Sequence, residues 1–585
     1  MAHISNDQPA NEPNNPNNGT PPDDVEQVAE QEIEHAPEQT SEQSPKQSGT
    51  KASRNTTAES LGVLLFLLIV VLILVGLWFV WFRGLGVLAV AETALRAKGY
   101  LLLSTGAPLL ASYLLWSRGQ SVKEKVKPSE RKNLPEAKRW GRLAGAGLLV
   151  AVLGGGYSFA VHPYLVAKTY TADTHTTEET LSFADRAPWV VANNYAQRDQ
   201  GDIIGDRESV HYVPTRQDAA AKAGDGAGEG TSRYTVLVKE RGVLGTGGYE
   251  AVQTLTMPTT GAIPSGASDF CKIPDSMTRR LDTVWPWHAL SWSIHAKAPF
   301  AHWDNDDAFG YCANGQPMVV VPLYKYSGWW AVTKEPNGAA VYSEDGVEIL
   351  SAQELTDRTI EGPTYPRTVA SEQRTSINAG GTLMQWLGSK YGYDLTDQDE
   401  EDSNTDNPSE FTLVPFGTQD LQYVTPLTPR GSSQSMTAVS VVPASQQGEG
   451  RLPLTLNTSA DLPATSTLET AIKESSVHGD NAWTTRWSAG MGVYEILPAQ
   501  NGHWAASIGQ GQAVSYRADI APDGKVTVVN ADTGASSDGA ASSSKKKDAV
   551  TVDGGKPLDQ MSEGELLKLI QDAATELEKR QGKSE

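Results

Sequence analysis

The chain has 585 residues, with 70 acidic against 48 basic side chains and a formal net charge of -22. That balance excludes a general nucleic-acid-binding role, because a polyanionic backbone is gripped by clustered lysine and arginine. At roughly 100–200 residues per domain, the length calls for more than one folded unit.

Residues 1–57 are rich in Asn, Pro, Gln, Glu, Ser and Thr and nearly free of aromatic or branched apolar side chains. Such a segment cannot bury enough surface to offset chain entropy, so a disordered tail is predicted.

Residues 58–166 read as a transmembrane region. Leu61 to Phe82 carries no charge, and as a helix of about 22 residues it reaches ~33 Å, the thickness of a bilayer's hydrocarbon. Trp78, Trp81 and Phe82 gather at its end, where rings prefer the interface, and Arg83 closes it. Gly84 to Ala91 is followed by Glu92, Arg96 and Lys98 before an apolar run from Tyr100 to Trp116. The earlier part reads as an interfacial helix or helical hairpin with Glu92 and Arg96 paired four apart. The crossing itself is placed at 100–116, kinked at Pro108. Charges at the water interface explain Glu92 and Arg96 better than an ion site within lipid.

A third crossing is placed at 143–166. Gly147, Ala151 and Gly155 recur there every four positions, a row of small residues that lets helix backbones approach closely. The row serves either the chain's own helices or a second copy. Between the last two crossings, residues 117–142 hold Arg118, Lys123, Lys125, Lys127, Arg131, Lys132, Lys138, Arg139 and Arg142. Short basic loops stay with the cytosol, so the tail is expected inside and everything after Tyr170 outside. The loop also suits anionic head groups.

Beyond Tyr170 the pattern turns mainly β. Strands are predicted at Arg233–Lys239, Met318–Tyr324, Ala339–Tyr342, Thr437–Val442, Val493–Leu497 and Lys525–Val529, and helices at Leu383–Tyr391 and Leu468–Glu474. Pro336-Asn337-Gly338 and Pro522-Asp523-Gly524 read as hairpin connections. Low-complexity loops fall at 219–231, 397–410 and 536–548. Two β-rich subdomains are expected, 171–395 and 411–532. A linker at 533–557 and an amphipathic helix at 558–580 follow, the helix opened by a capping box from Ser562 to Glu565. The fold class is thus a membrane-anchored chain of about three transmembrane α-helices followed by a large β-rich (α+β) extracytoplasmic domain and a C-terminal amphipathic helix.

The two cysteines, Cys271 and Cys312, form a disulfide if that region faces an oxidising compartment, and stay buried thiols otherwise. Between Trp285 and Cys312 lies the densest cluster of chemistry-bearing side chains: Trp285, Trp287, Trp292, Trp303, His288, His295, His302, Asp304, Asp306 and Asp307. The histidines are seven apart, a helical stripe interrupted by Pro299, which suits packing beside tryptophan better than zinc. The aspartates approach calcium-loop spacing but lack its glycine and closing glutamate. If the chain is an enzyme, His302, Asp304, Asp306 and Asp307 are its candidate acid and base groups; a solvated turn is the plainer account. The tryptophans would serve for binding, by stacking on sugar rings, or for a β core.

No nucleophile elbow, phosphate loop, dinucleotide fingerprint or metal-protease helix occurs, so no metal or cofactor is expected. The function expected is that of a cell-envelope scaffold, or an accessory subunit of a transport or transfer assembly, acting through protein contacts. Its location is the cell membrane, multi-pass, with a cytoplasmic N-terminus. Its partners are the lipid bilayer and a second protein or a second copy. The alternative is a membrane-tethered hydrolase or carbohydrate-binding protein using the cluster at 285–312.

Overall fold

The computed structural model describes residues 56–125, 135–198, 203–214, 231–241, 247–259, 268–283, 285–358, 360–396, 410–418, 420–431, 435–475, 483–511 and 513–531. The chain divides into two compact units, residues 1–71 and 72–585. Of the first, the described part is the opening of α1 (Thr56–Gly84).

The second unit takes α1 to its end. Gly86 then adopts φ 70°, the left-handed region that favours glycine, and the chain bends by 70° into α2 (Val87–Glu92), which runs on as a π-helical turn to Ala97. Two longer helices follow, α3 (Gly99–Glu124) and α4 (Pro135–Asp173). Among the described residues, two helices are long and apolar enough to cross a membrane, or three if the bent pair forms one span. Phe66, Leu72, Leu103, Leu149 and Phe159 are among the many large apolar side chains that these helices leave exposed, the surface that lipid would cover.

Pro108 does not break α3. A π-helical turn, Leu102–Gly106, comes just before it, and such a turn accommodates the missing N–H and the bulk of the ring.

Small residues bring α3 and α4 together. A Cβ on Gly154 would lie 1.8 Å from the Ser104 carbonyl oxygen, and one on Gly147 3.2 Å from Ser112 Cβ. Ser104 and Ser158 join hydroxyls at 2.5 Å, and Ser112 donates to the Ala144 carbonyl at 2.7 Å. Ala144 and Ala151 are buried in the seam. The close face therefore runs through 144, 147, 151 and 154. Gly155, which the four-residue spacing picks out, is one step off it, with Thr105 Oγ1 3.9 Å from its would-be Cβ.

The rest of the unit is a large sheet-rich domain. β1 (Thr174–Thr177) leaves the end of α4. After α5 (Trp189–Arg198), β2 (Gly205–Arg207), β3 (His211–Tyr212), β4 (Thr231–Glu240), β5 (Tyr249–Pro258) and β6 (Ser268–Lys272) form an antiparallel sheet ordered β2-β4-β5-β6, with β3 beside β4. α6 (Leu290–Lys297) leads to β7 (Phe309–Ala313), β8 (Gln316–Ser327), β9 (Thr333–Ser343) and β10 (Gly346–Leu350), a meander. Next come α7 (Ala352–Arg358), α8 (Arg367–Ser376) and the one-turn α9 (Leu383–Leu387).

β11 (Tyr393–Leu395), β12 (Phe411–Leu413), β13 (Gln422–Pro429), β14 (Ala438–Pro443) and β15 (Leu454–Asn457) make a third sheet, to which β1 adds a parallel edge. After α10 (Thr465–Glu474) and α11 (Trp483–Ser488), β16 (Gly492–Pro498), β17 (Trp504–Gln510), β18 (Ala513–Ile520) and β19 (Val526–Asn530) close a fourth. Short apolar runs bounded by turn residues built these strands, and each of the six predicted segments lies largely within one of them.

Three expectations change. Pro336-Asn337-Gly338 sits inside β9, where the facing strand shifts register between Pro322 and Tyr324, and the chain reverses instead between Ser327 and Thr333. Gly338 takes φ 75°, and a Cβ there would meet the Leu350 carbonyl at 1.9 Å, so the turn-like triplet serves a close approach within a strand. The helix from Leu383 stops at Leu387. The boundary drawn near 395–411 falls within one sheet, because β11 and β12 both pair with β13. One core likewise joins Tyr234, Leu255 and Tyr365 to Tyr423 and Leu454. The tail through residue 55, the loop stretches 219–230, 397–409 and 536–548, the linker at 533–557 and the helix at 558–580 lie outside the described residues.

The domain is tied firmly to α2 and α4. Arg96 donates to the Tyr326 carbonyl at 2.6 Å, Tyr164 to that of Gly381 at 2.9 Å and Lys168 to that of Gly380 at 3.1 Å. The Lys334 amide donates to the Tyr170 hydroxyl at 2.7 Å. Arg451 lies over the Tyr170 ring at 5.0 Å and pairs with Asp173 at 2.9 Å, so the last turn of α4 is held from β9 and from the segment before β15.

Candidate functional site

The stretch from Trp285 to Cys312 is divided between two tasks. Its first half grips the helices. Trp292, on α6, stands edge-on to Trp81 at 5.0 Å and lies so close to Gly84 that a Cβ there would meet the indole at 2.3 Å. One turn later, His295 lies against Gly86 in the same way and packs at a tilt on Trp303, ring centroids 4.8 Å apart. His302 pairs backbone to backbone with Tyr324, packs its ring on Tyr324 and Tyr326, and points Nε2 at Glu92 Oε2 across 3.5 Å. His288 sits in a turn, its Nδ1 3.1 Å from the Thr278 carbonyl. The three histidines share no helical stripe. Trp287 is exposed and lies tilted against Trp285, ring centroids 5.5 Å apart, and Trp303 donates Nε1 to Asn305 Oδ1 at 3.2 Å. Trp285 and Trp287 thus lie together, while Trp292 packs on Trp81 and Trp303 on His295.

Cys271 in β6 and Cys312 in β7 are disulfide-bonded, with Cα atoms 6.3 Å apart, joining two neighbouring sheets.

The second half of the stretch opens a cavity. Asp304 caps the short 3-10 turn Asn305–Asp307 by accepting the Asp306 amide at 3.2 Å, and stays exposed with Asp306. Asp307 is turned inward, where Thr368 offers its amide at 3.4 Å and its hydroxyl at 3.3 Å from α8. Behind it lies a space of about 300 Å³ walled by Arg186, His211, Tyr212, Arg367, Glu410 and Tyr423, among others. β3, the turn before β7, α8 and the edge of the third sheet each supply a wall, so the site exists only in the folded unit.

Its electrostatics are set by burial. Desolvation, helped by the neighbouring Asp304 charge, pushes the Asp307 carboxyl up to about 7, against the pull of Thr368 and Arg367. Burial and the Arg367 charge push the His211 imidazole down to about 4, so it is neutral, and its Nε2 has no hydrogen-bond partner. Glu410 gathers two guanidinium groups, Arg367 Nε at 2.6 Å and Arg374 Nη1. Arg186 and Glu495, both with almost fully buried side chains, pair at 3.1 Å beside the cavity. Arg186 also donates to the Tyr234 hydroxyl at 2.6 Å.

These groups can hold or release a proton near neutrality at Asp307 and present Arg367 to a polar ligand. Among the described residues no three His, Cys, Asp or Glu side chains converge as metal ligands. No known protein family, curated protein or solved structure matches this chain.

The cavity unites Asp306 and Asp307 and leaves out His302 and Asp304. Reading the sequence missed His211, Arg367, Glu410 and the Arg186–Glu495 pair. A single charge inside an otherwise apolar strand, as in Val493-Tyr494-Glu495-Ile496-Leu497, is the signal that could have pointed to a buried partner.

Proposed function

We propose that this chain is a membrane-anchored cell-envelope protein whose sheet-rich domain stands outside the membrane and works by contact with other proteins, as a scaffold or an accessory subunit of a transport or transfer assembly. The observation that supports this reading is where the chemistry-bearing cluster is spent. Trp292, His295 and His302 join the domain to α1 and α2, and Asp304 caps a turn. A domain joined to its helices at so many points presents its surfaces at a fixed height and angle, as a docking partner requires. The basic loop after α3 supports a cytosolic side for that end of the helices. Crosslinking in intact cells followed by purification through a C-terminal tag should recover one stable partner or a defined oligomer; a chain that remains alone at native abundance would contradict it.

The Asp307 cavity favours a second reading, a membrane-tethered hydrolase or carbohydrate-binding protein that uses buried ionisable groups. Asp307→Asn separates the two. Loss of glycan binding or hydrolysis with unchanged folding supports the second reading, and an unaltered partner complex without such an activity supports the first.

A further inference from the structure

Trp329 and Trp330, in the β8–β9 connection, are 83% and 84% exposed, more than any other large apolar side chain among the described residues. Two indoles facing water side by side call for something that covers them.

Their place is fixed by the helices. Arg96 bonds the Tyr326 carbonyl and lays its guanidinium over the Trp329 ring at 5.3 Å. The His162 ring of α4 lies near the Trp330 backbone, and that ring stacks on Tyr100 of α3 at 3.6 Å. Tyr100 and His162 therefore mark one level on both helices. On α3 that level is the start of the apolar run. On α4, Leu143 to His162 covers ~29 Å at ~1.5 Å per residue, the depth of a bilayer's hydrocarbon. On α4, Leu165 to Ala167 continue the apolar surface for about one more turn before Lys168, so the hairpin tip sits near the ends of both apolar stretches.

A second element lies at nearly the same level. α9 is held beside α4 through Tyr164 and Lys168, which follow His162, with Trp386 6.0 Å from the Tyr164 ring. It leaves Met384 75% and Leu387 47% exposed. The adjoining helix surface is apolar too, with Leu102, Leu103 and Phe159 exposed.

We propose that the Trp329-Trp330 tip and the Met384–Leu387 turn are interfacial anchors that dip into the lipid head-group layer beside α4, seating the domain face-down on the bilayer. The partner is lipid, because these side chains stand level with the ends of the apolar helix surface, where tryptophan is preferred over purely aliphatic residues. The inference rests on α3 and α4 being membrane spans.

The test uses the full chain reconstituted into vesicles of phosphatidylcholine and phosphatidylglycerol. Single cysteines W330C, M384C, L148C and E344C carry a polarity-sensitive dye, the native pair being closed as a disulfide. Leu148 reports the span, and Glu344 reports the far end of β9, about 33 Å along the strand. Quenching by nitroxides at head-group depth, by nitroxides deep in the acyl chains and by aqueous iodide is compared. Positions 330 and 384 should be quenched several-fold better by the shallow nitroxide than by iodide, position 148 by the deep one and position 344 by iodide alone. If 148 is deep while 330 and 384 behave like 344, the anchors are overturned, the spans stand, and the tryptophans are left for a protein partner. If 148 itself is reached by iodide, the membrane reading falls and the anchors with it.

Discussion

His302 Nε2 stands 3.5 Å from Glu92 Oε2, so the carboxylate that ends α2 is met by a histidine two hundred residues away in the sheet-rich domain. Arg96 completes the arrangement, pairing with the other Glu92 oxygen at 3.0 Å. His302→Ala removes this contact and the packing on Tyr324 and Tyr326 while leaving Glu92 paired with Arg96, and should cost about 1–3 kcal/mol through the lost packing. Limited proteolysis checks it: the segment from Arg83 to Lys98 should be cut faster in the variant. Burial holds the His302 imidazole below its usual 6.5, with the Lys334 charge adding to the effect and Glu92 opposing it. The folded chain therefore takes up this proton less readily than the unfolded one, so stability contributed here is lost as pH falls through about 6.5 and is present above it.

Asp307 has the opposite dependence. Its folded-state carboxyl, pushed up to about 7 from 3.8, binds a proton that the unfolded chain has already released. Stability should therefore fall as pH rises from about 4 to 7, by an amount on the order of 2–4 kcal/mol. Asp307→Asn should remove that share. Denaturation midpoints measured at pH 5 and pH 8 should lie closer together in the variant; an unchanged difference would contradict the buried, protonated Asp307.

The Arg186–Glu495 pair is buried on both sides, its side chains 3% and 0% exposed. Glu495→Ala leaves Arg186 buried and charged without its carboxylate partner and should cost about 3–5 kcal/mol. The double variant Arg186→Met/Glu495→Met should recover most of that loss, as read by chemical denaturation.

In the seam between α3 and α4, Gly154→Val should destabilise the helix pair by about 1–3 kcal/mol, because the Ser104 carbonyl stands 1.8 Å from the new Cβ. Gly155→Ala meets only Thr105 Oγ1 at 3.9 Å and should be close to neutral. Thermal unfolding in detergent distinguishes the two.

The long helices were legible because each is an extended apolar run with few charges, the pattern that a membrane crossing would demand. The strands were legible where short continuous apolar runs stood between turn residues, as in β4 and β8. What escaped depended on distance along the chain. Glu410 closes an acidic stretch that reads as solvated loop, yet it is buried between Arg367 and Arg374. Pro336-Asn337-Gly338 carries the composition of a turn, but the demand it meets is the approach of Leu350. His302 and Asp307 are five positions apart and look like one site, yet one faces Glu92 and the other a cavity. A strand-to-turn transition lies between them, and local spacing does not encode which way each side chain turns.

The central claim is that the sheet-rich domain and the basic loop after α3 lie on opposite sides of a membrane. A membrane-impermeant maleimide applied to intact cells tests it directly, with Glu344→Cys in the β9–β10 turn and Lys125→Cys at the end of α3. Position 344 should be labelled in intact cells and position 125 only after permeabilisation. Labelling at 125 from outside, with 344 protected until the cells are opened, would contradict it.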